Sequence, residues 1–203
     1  MTRTALFQPL QLGPYTLAHR IVMAPLTRMR ATRPGNIPNA MNAEYYRQRA
    51  TRGGLIIAEA SQVMPGGQGV PASPGIHSRE QVEGWRGVVD AIHAEGGKVF
   101  LQLWHTGRIS HPSHQPGGVL PAAPSAIAAE GMALTADFQR EPFPTPRALL
   151  REEIPGLIRS YEQAARNAQA AGFDGVEIHG ANGYLLEQFL QTRSKRRNTF
   201  ATW

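Results

Sequence analysis

Apolar positions along the chain gather into four short runs, each separated from the next by a longer stretch in which apolar residues recur every three or four positions. The runs are 21–24, stopped by Pro25; 55–58, after Gly53-Gly54; Val99, Phe100, Leu101 and Leu103; and 175–178. Runs that are apolar at nearly every position suit strands covered on both faces, so each of the four, beginning with 21–24, is expected to be buried. Helical spacing follows at 41–52, after the Pro38-Asn39 entry, and at 78–95, where Val82, Trp85, Val88, Val89 and Ile92 share one face and Ser78 with Gln81 spells a capping box. Further helices are expected at 150–171, ended by Gly172, and at 184–190. Ahead of the first strand, 6–12 and 15–17 flank Gly13-Pro14 and predict a hairpin. Residues 64–75 and 105–146 are rich in Gly and Pro and aperiodic, which predicts loops, the second long enough to serve function.

Strand and helix thus alternate four times, which makes the fold class α/β with a parallel sheet. A doubly wound sheet shares this pattern. Here, however, polar or Pro-bearing groups follow every strand: Pro25 to Thr27, Glu59 to Ser61, Gln102 to His105 and His179 to Asn182. Strand ends that all carry chemistry are a property of a barrel's C-terminal face, where the βα loops converge.

Composition narrows the partners. The 203 residues are 41% apolar and 18% charged, as in globular chains. The net charge is +6, but Arg193, Lys195, Arg196 and Arg197 account for four of those charges and leave +2 for the rest. No aromatic residue interleaves those bases, so nucleic acid is not an expected partner. Without cysteine there is no disulfide framework, thiolate metal site or cysteine nucleophile, and the expected compartment is the cytoplasm. No signal-peptide core is present in the first residues, and nowhere do about 18 apolar residues run together, so no membrane span is expected.

The strongest local motif is His179-Gly-Ala-Asn182-Gly-Tyr184, where the fourth strand runs into a helix. Residues three apart can face one side. An imidazole N–H and a carboxamide N–H together suit an oxygen gaining charge, and Tyr184 adds a phenolic proton. A capped helix start around a buried, satisfied His accounts for the spacing equally well. Gln102, Trp104 and His105 after the third strand offer an amide for a heterocycle edge and a flat indole wall, although an indole also serves a core. His105, His111 and His114 lack an acidic partner and metal-site spacing, so no metal is expected. The stretch Gly66-Gly67-Gln68-Gly69 is followed by Pro71 and Pro74 instead of a helix, and a flexible loop is expected rather than a phosphate cradle. Arg28, Arg30 and Arg33 suit either a rim that meets an anion or a solvated loop.

Taken together, Met23-Ala-Pro-Leu-Thr-Arg28, Glu44-Tyr-Tyr-Arg-Gln-Arg49, Glu59-Ala-Ser61, Gln102-Leu-Trp-His-Thr-Gly-Arg108 and His179-Gly-Ala-Asn-Gly-Tyr-Leu185 resemble the Old Yellow Enzyme family of FMN-dependent ene-reductases, most closely its pentaerythritol tetranitrate and N-ethylmaleimide reductase branch. The resemblance spans residues 6–190 and implies a (β/α)8 TIM barrel, of which this chain holds the N-terminal hairpin and first four βα units as one partial domain over 1–203. It implies FMN bordered by Ala24, Pro25, Leu26, Thr27, Ala60 and Gln102, with NADPH or NADH as hydride donor. Thr27, Trp104, His179, Asn182 and Tyr184 would meet a small electrophilic alkene or nitro substrate, with His179 and Asn182 holding its oxygen and Tyr184 protonating the α-carbon of the alkene. Where relatives often carry a Tyr in the loop after the second strand this chain has Val70, which implies an altered pocket wall. Residues 193–203 run off the family pattern, and the flavin-phosphate loops, which the family places after its seventh and eighth strands, have no counterpart here. Four parallel strands expose two edges, so self-association or pairing with a complementary half is expected, and a half-barrel that only associates is the rival to an enzyme.

Overall fold

The computed structural model describes residues 4–194. An antiparallel hairpin opens the chain, β1 (Leu10–Leu12) against β2 (Tyr15–Leu17), with Leu10 opposite Leu17 and Leu12 opposite Tyr15. Gly13 takes the left-handed conformation that this two-residue turn requires, φ 55°. Then follow β3 (Val22–Met23), α1 (Ala40–Arg47), β4 (Leu55–Gln62), α2 (Arg79–Ala94) and β5 (Lys98–Trp104). The segment after β5 carries β6 (Ala122–Ala123), β7 (Met132–Leu134), β8 (Arg140–Pro142) and β9 (Arg147–Ala148), and the chain continues with α3 (Ile154–Ala170), β10 (Gly175–Ile178) and α4 (Leu185–Leu190). Among the described residues no helix is long and apolar enough to cross a membrane.

β3, β4, β5 and β10 form one parallel sheet in which spatial order follows chain order. A doubly wound sheet reverses direction at a switch point, whereas an unbroken progression is an arc of a barrel. The two faces of the arc differ. Ile56, Ala58, Val99, Leu101 and Leu103 meet the helices through Tyr46, Trp85, Val88, Ile92, Ala164 and Ala168. Trp85 is fully buried there, its ring T-shaped against Phe173 at 5.4 Å and its N–H donating to the Gly75 carbonyl at 3.0 Å. On the opposite face Leu55, Ile57 and Phe100 pack against Leu10 and Leu17, so the hairpin floors the N-terminal end of the arc. Gln102 and Trp104 continue the Phe100 side of β5 toward the C-terminal end, which is left open for a site.

Several boundaries depart from the pattern-based expectation. α1 stops at Arg47 rather than at 52, because Gln48 caps it and the chain turns through Gly53, φ 70°, where a Cβ would press on Ala18. α3 starts at Ile154, behind a 3₁₀ turn at Arg151–Glu153, with Pro155 in its first turn. β4 extends to Gln62 because a register shift between Ala58 and Ser61 lets its polar end keep pairing with Leu103 and Trp104. The first strand is not buried: Ile21 and Val22 are 45% and 41% exposed because β3 is a sheet edge. The stretch 105–146 is not structureless, since β6 pairs with β9 and β7 with β8. Nor is 66–69 slack, since Gly67 is buried and a Cβ on Gly69 would run into the Ile109 carbonyl and Thr106. Of the expected tail at 193–203, residues 195–203 lie outside the described residues.

Candidate functional site

A cleft of about 560 Å³ opens at the C-terminal ends of β3, β4, β5 and β10. Pro25, Leu26 and Thr27 form one wall, Ala60, Gln102 and Trp104 the floor, and His179, Asn182 and Tyr184 the other wall. All nine are residues singled out from sequence, drawn from four separate strand ends. Ala24 is exposed and lies outside the lining, as do Val70 and His105. His105 is buried instead, its Nδ1 accepting from the Gly107 N–H at 3.0 Å, and burial depresses its pKa to about 4. Glu177, Ile178, Gly180 and Ala181 complete the cleft and were not anticipated.

His179 and Asn182 share the cleft through a turn and not through helical spacing. Asn182 is left-handed, φ 60°, a conformation that Asn tolerates better than most side chains, and Gly183 follows at φ 77°. Two buried or anchored contacts hold this turn. The Glu187 carboxylate accepts from the Gly183 N–H at 2.6 Å, and the buried Gln188 donates to the Gly183 carbonyl at 2.6 Å and to the Thr106 carbonyl at 2.9 Å. The Leu185 N–H donates to the His105 carbonyl at 3.0 Å, which ties the turn to the loop after β5. Neither Glu187 nor Gln188 stands out in the sequence, because one amide or carboxylate in a short helix carries no pattern.

His179 Nδ1 accepts from the Ala181 N–H at 3.4 Å, which leaves the ring proton on Nε2. Burial, opposed by Glu177 and Glu187, holds its pKa below the ordinary value, so near neutral pH it is an uncharged donor. Tyr184 stands edge-on to the His179 ring at 4.8 Å and to the Trp104 ring at 5.0 Å, and burial raises its pKa, so the phenol keeps its proton. The Trp104 Nε1–H is buried without a partner, and Gln102 donates to Glu177 at 2.7 Å, which leaves its carbonyl oxygen to accept. Flat aromatic walls, a small Ala60 floor and an orphaned indole donor fit a planar heterocycle with hydrogen-bonding edges. Among the described residues no cationic side chain lines the cleft.

A family model described as the NADH:flavin oxidoreductase / NADH oxidase family matches residues 5–199. The chain belongs to this family. It is the Old Yellow Enzyme family, whose cofactor is FMN, and the fold is an arc of its α/β barrel. The chain is 49% identical over 188 residues to 12-oxophytodienoate reductase 7 of Oryza sativa subsp. japonica, covering 92% of this chain and 47% of that protein. It is 45% identical over 195 residues to flavin oxidoreductase hxnT of Emericella nidulans, covering 95% and 50%. Morphinone reductase in complex with tetrahydroNAD superposes with a TM-score of 0.90 at 48% identity, over 97% of this chain and 55% of that one. The chain spans about half the length of the relatives it matches.

Among the described residues no three His, Cys, Asp or Glu side chains gather as a metal's ligand set. Of the three arginines after β3, Arg28 stacks on Tyr45 at 4.6 Å, Arg30 donates to the Met29 carbonyl at 3.0 Å and Arg33 lies over Phe138 at 5.8 Å, and none reaches the cleft.

Proposed function

We propose that this chain is the N-terminal half-barrel of an FMN-dependent NAD(P)H oxidoreductase that reduces activated alkenes, such as enones and maleimides, or nitro compounds. The observation that carries the reading is the convergence of Thr27, Gln102, His179, Asn182 and Tyr184 on one cleft, with Trp104, whose N–H is buried and unpaired, in its floor. Gln102 and the small floor at Ala60 would border the flavin ring, with Pro25, Leu26 and Thr27 on its other side. When bound, FMN supplies the hydride chemistry, with NADPH or NADH as the source. His179 Nε2–H and the Asn182 carboxamide N–H hold the substrate's carbonyl or nitro oxygen, which gains charge as reduction proceeds, and two fixed donors favour that state. The Tyr184 hydroxyl delivers a proton to the α-carbon from a phenol that burial keeps protonated. The compartment proposed for this cysteine-free chain is the cytoplasm.

One observation favours a second reading. Among the described residues β3 and β10 are the edges of the sheet, each paired on one side, and Ile21, Val22, Val176 and Ile178 are exposed along them. A second half-barrel, from another copy or a complementary chain, is the partner proposed for these edges, and association without catalysis is the alternative function. Single-turnover kinetics on purified protein separates the readings. In the enzyme, Tyr184→Phe slows reduction of N-ethylmaleimide by about 10²- to 10⁴-fold while flavin reduction by NADPH is unchanged. Protein that takes up no flavin and turns over no NADPH identifies the associating fragment.

A further inference from the structure

Glu59 is absent from the cleft lining, yet three donors hold its carboxyl group. It lies on β4 beside Ala60 and is completely buried. One carboxylate oxygen accepts from the Arg28 backbone N–H at 2.8 Å, and the other from the Asn42 carboxamide at 3.2 Å and the Tyr46 hydroxyl at 3.5 Å. The Glu59 backbone N–H donates to that same hydroxyl at 2.7 Å. Arg28 follows Thr27 directly, and the segment carrying Pro25, Leu26 and Thr27 is one wall of the cleft.

We infer that Glu59 is a positioning residue, whose charged carboxylate latches the 25–28 segment onto β4 and α1 and so sets where Thr27 stands in the cleft. Three elements meet at this one group, and no other side chain ties the Arg28 N–H to the sheet among the described contacts. Burial pushes the Glu59 pKa up to about 7, against the Arg28 N–H, Asn42, the Arg28 charge and Tyr46, which favour ionisation. The latch is therefore half-charged near neutral pH. The groups facing it are the Arg28 guanidinium from the loop and the Tyr46 phenol from α1, itself pushed upward by burial and by Glu59. Tyr45 stands behind them, sandwiched by Arg28 and Arg49 at 4.6 and 3.8 Å. On the β5 side, Leu101 and Leu103 pair with Ala58 and Ser61, to either side of the register shift that holds Glu59, with Gln102 between them. Protonation replaces a charge-assisted acceptor with a neutral one, which weakens the hydrogen bond that holds the loop.

The positional role rests on the reading of the cleft as the flavin and substrate site, whereas the latch itself does not. The test is an amide nuclear magnetic resonance titration of the whole chain, with FMN affinity measured in parallel by fluorescence. In the wild type the Arg28 and Thr27 amides shift together with a midpoint near 7. In Glu59→Gln they stay flat over the same range, and in Asn42→Ala, which removes a donor to the carboxylate, the midpoint rises. FMN affinity changes at least about threefold across that midpoint in the wild type and less in Glu59→Gln. Amides that titrate while FMN fails to bind uphold the latch and count against the flavin reading. Wild-type Arg28 and Thr27 amides that do not titrate, or that titrate equally in Glu59→Gln, overturn the proposal.

Discussion

Tyr184, standing edge-on between the rings of Trp104 and His179, shows how single residues divide the work in this cleft. His179 and Asn182 offer two donors to one oxygen, so His179→Ala should weaken phenol binding by roughly 1.5 to 3 kcal/mol while flavin affinity changes little. Phenol titration followed through the flavin spectrum measures this, and unchanged affinity would reject the role. Glu59 makes a prediction of opposite sign for stability. Its carboxyl is raised from 4.5 in the unfolded chain to about 7 when folded, so the native state favours the protonated form. Stability from this group is fully present below pH 4.5 and is lost as pH rises through 7, by roughly 3 kcal/mol once the folded carboxyl is fully ionised. Thermal unfolding should therefore show Glu59→Gln gaining on the wild type between pH 5 and pH 8, and a constant difference would contradict it. The donors at 179, 182 and 184 were legible in sequence as side chains at a strand-to-helix junction. Their common aim is not, because it depends on the left-handed Asn182, and Glu59 shows in sequence only as part of a polar strand end because its partners come from the loop after β3 and from α1.

At the scale of elements, α4 and its turn are fixed less by their own sequence than by Gln188. This buried amide also accepts from the Arg108 backbone N–H at 3.1 Å, so it spans the loops after β5 and β10. Gln188→Leu leaves those backbone groups without their partner and should cost on the order of 1 to 3 kcal/mol in urea unfolding, with the 179–184 turn losing amide protection first. A variant as stable and as protected as the wild type would sink this account of the turn. Periodicity located β5, β10 and α2 almost to the residue, because a continuous apolar run, an apolar stripe and a Ser78 cap each carry a local signal. It failed at β6 to β9, whose two- and three-residue strands are too short to show a period. It also truncated β4, since the buried polar end at Glu59, Ser61 and Gln62 looks like a loop until its partners on β5 and α1 are known.

For the molecule as a whole, the arc of four strands leaves β3 and β10 with one neighbour each among the described residues, and this is where the expectation of buried strands fails. Whether a strand is covered depends on what stands beside it, which its own residues do not encode. Exposed edges of this kind should drive association, so sizing chromatography with light scattering is expected to find dimers or larger species, and a monodisperse 22.2 kDa monomer would argue against it. The central claim is that the four strand ends build a flavin-ring site, and the indole resonances test it most directly. Trp85 already donates to the Gly75 carbonyl, whereas the Trp104 N–H is buried without a partner in a residue that lines the cleft. Titration of the isotopically labelled chain with FMN should shift the Trp104 indole N–H and the amides of Thr27, Gln102, His179 and Asn182 while leaving the Trp85 indole in place. Saturating FMN that leaves the Trp104 indole and these amides unmoved would contradict the account.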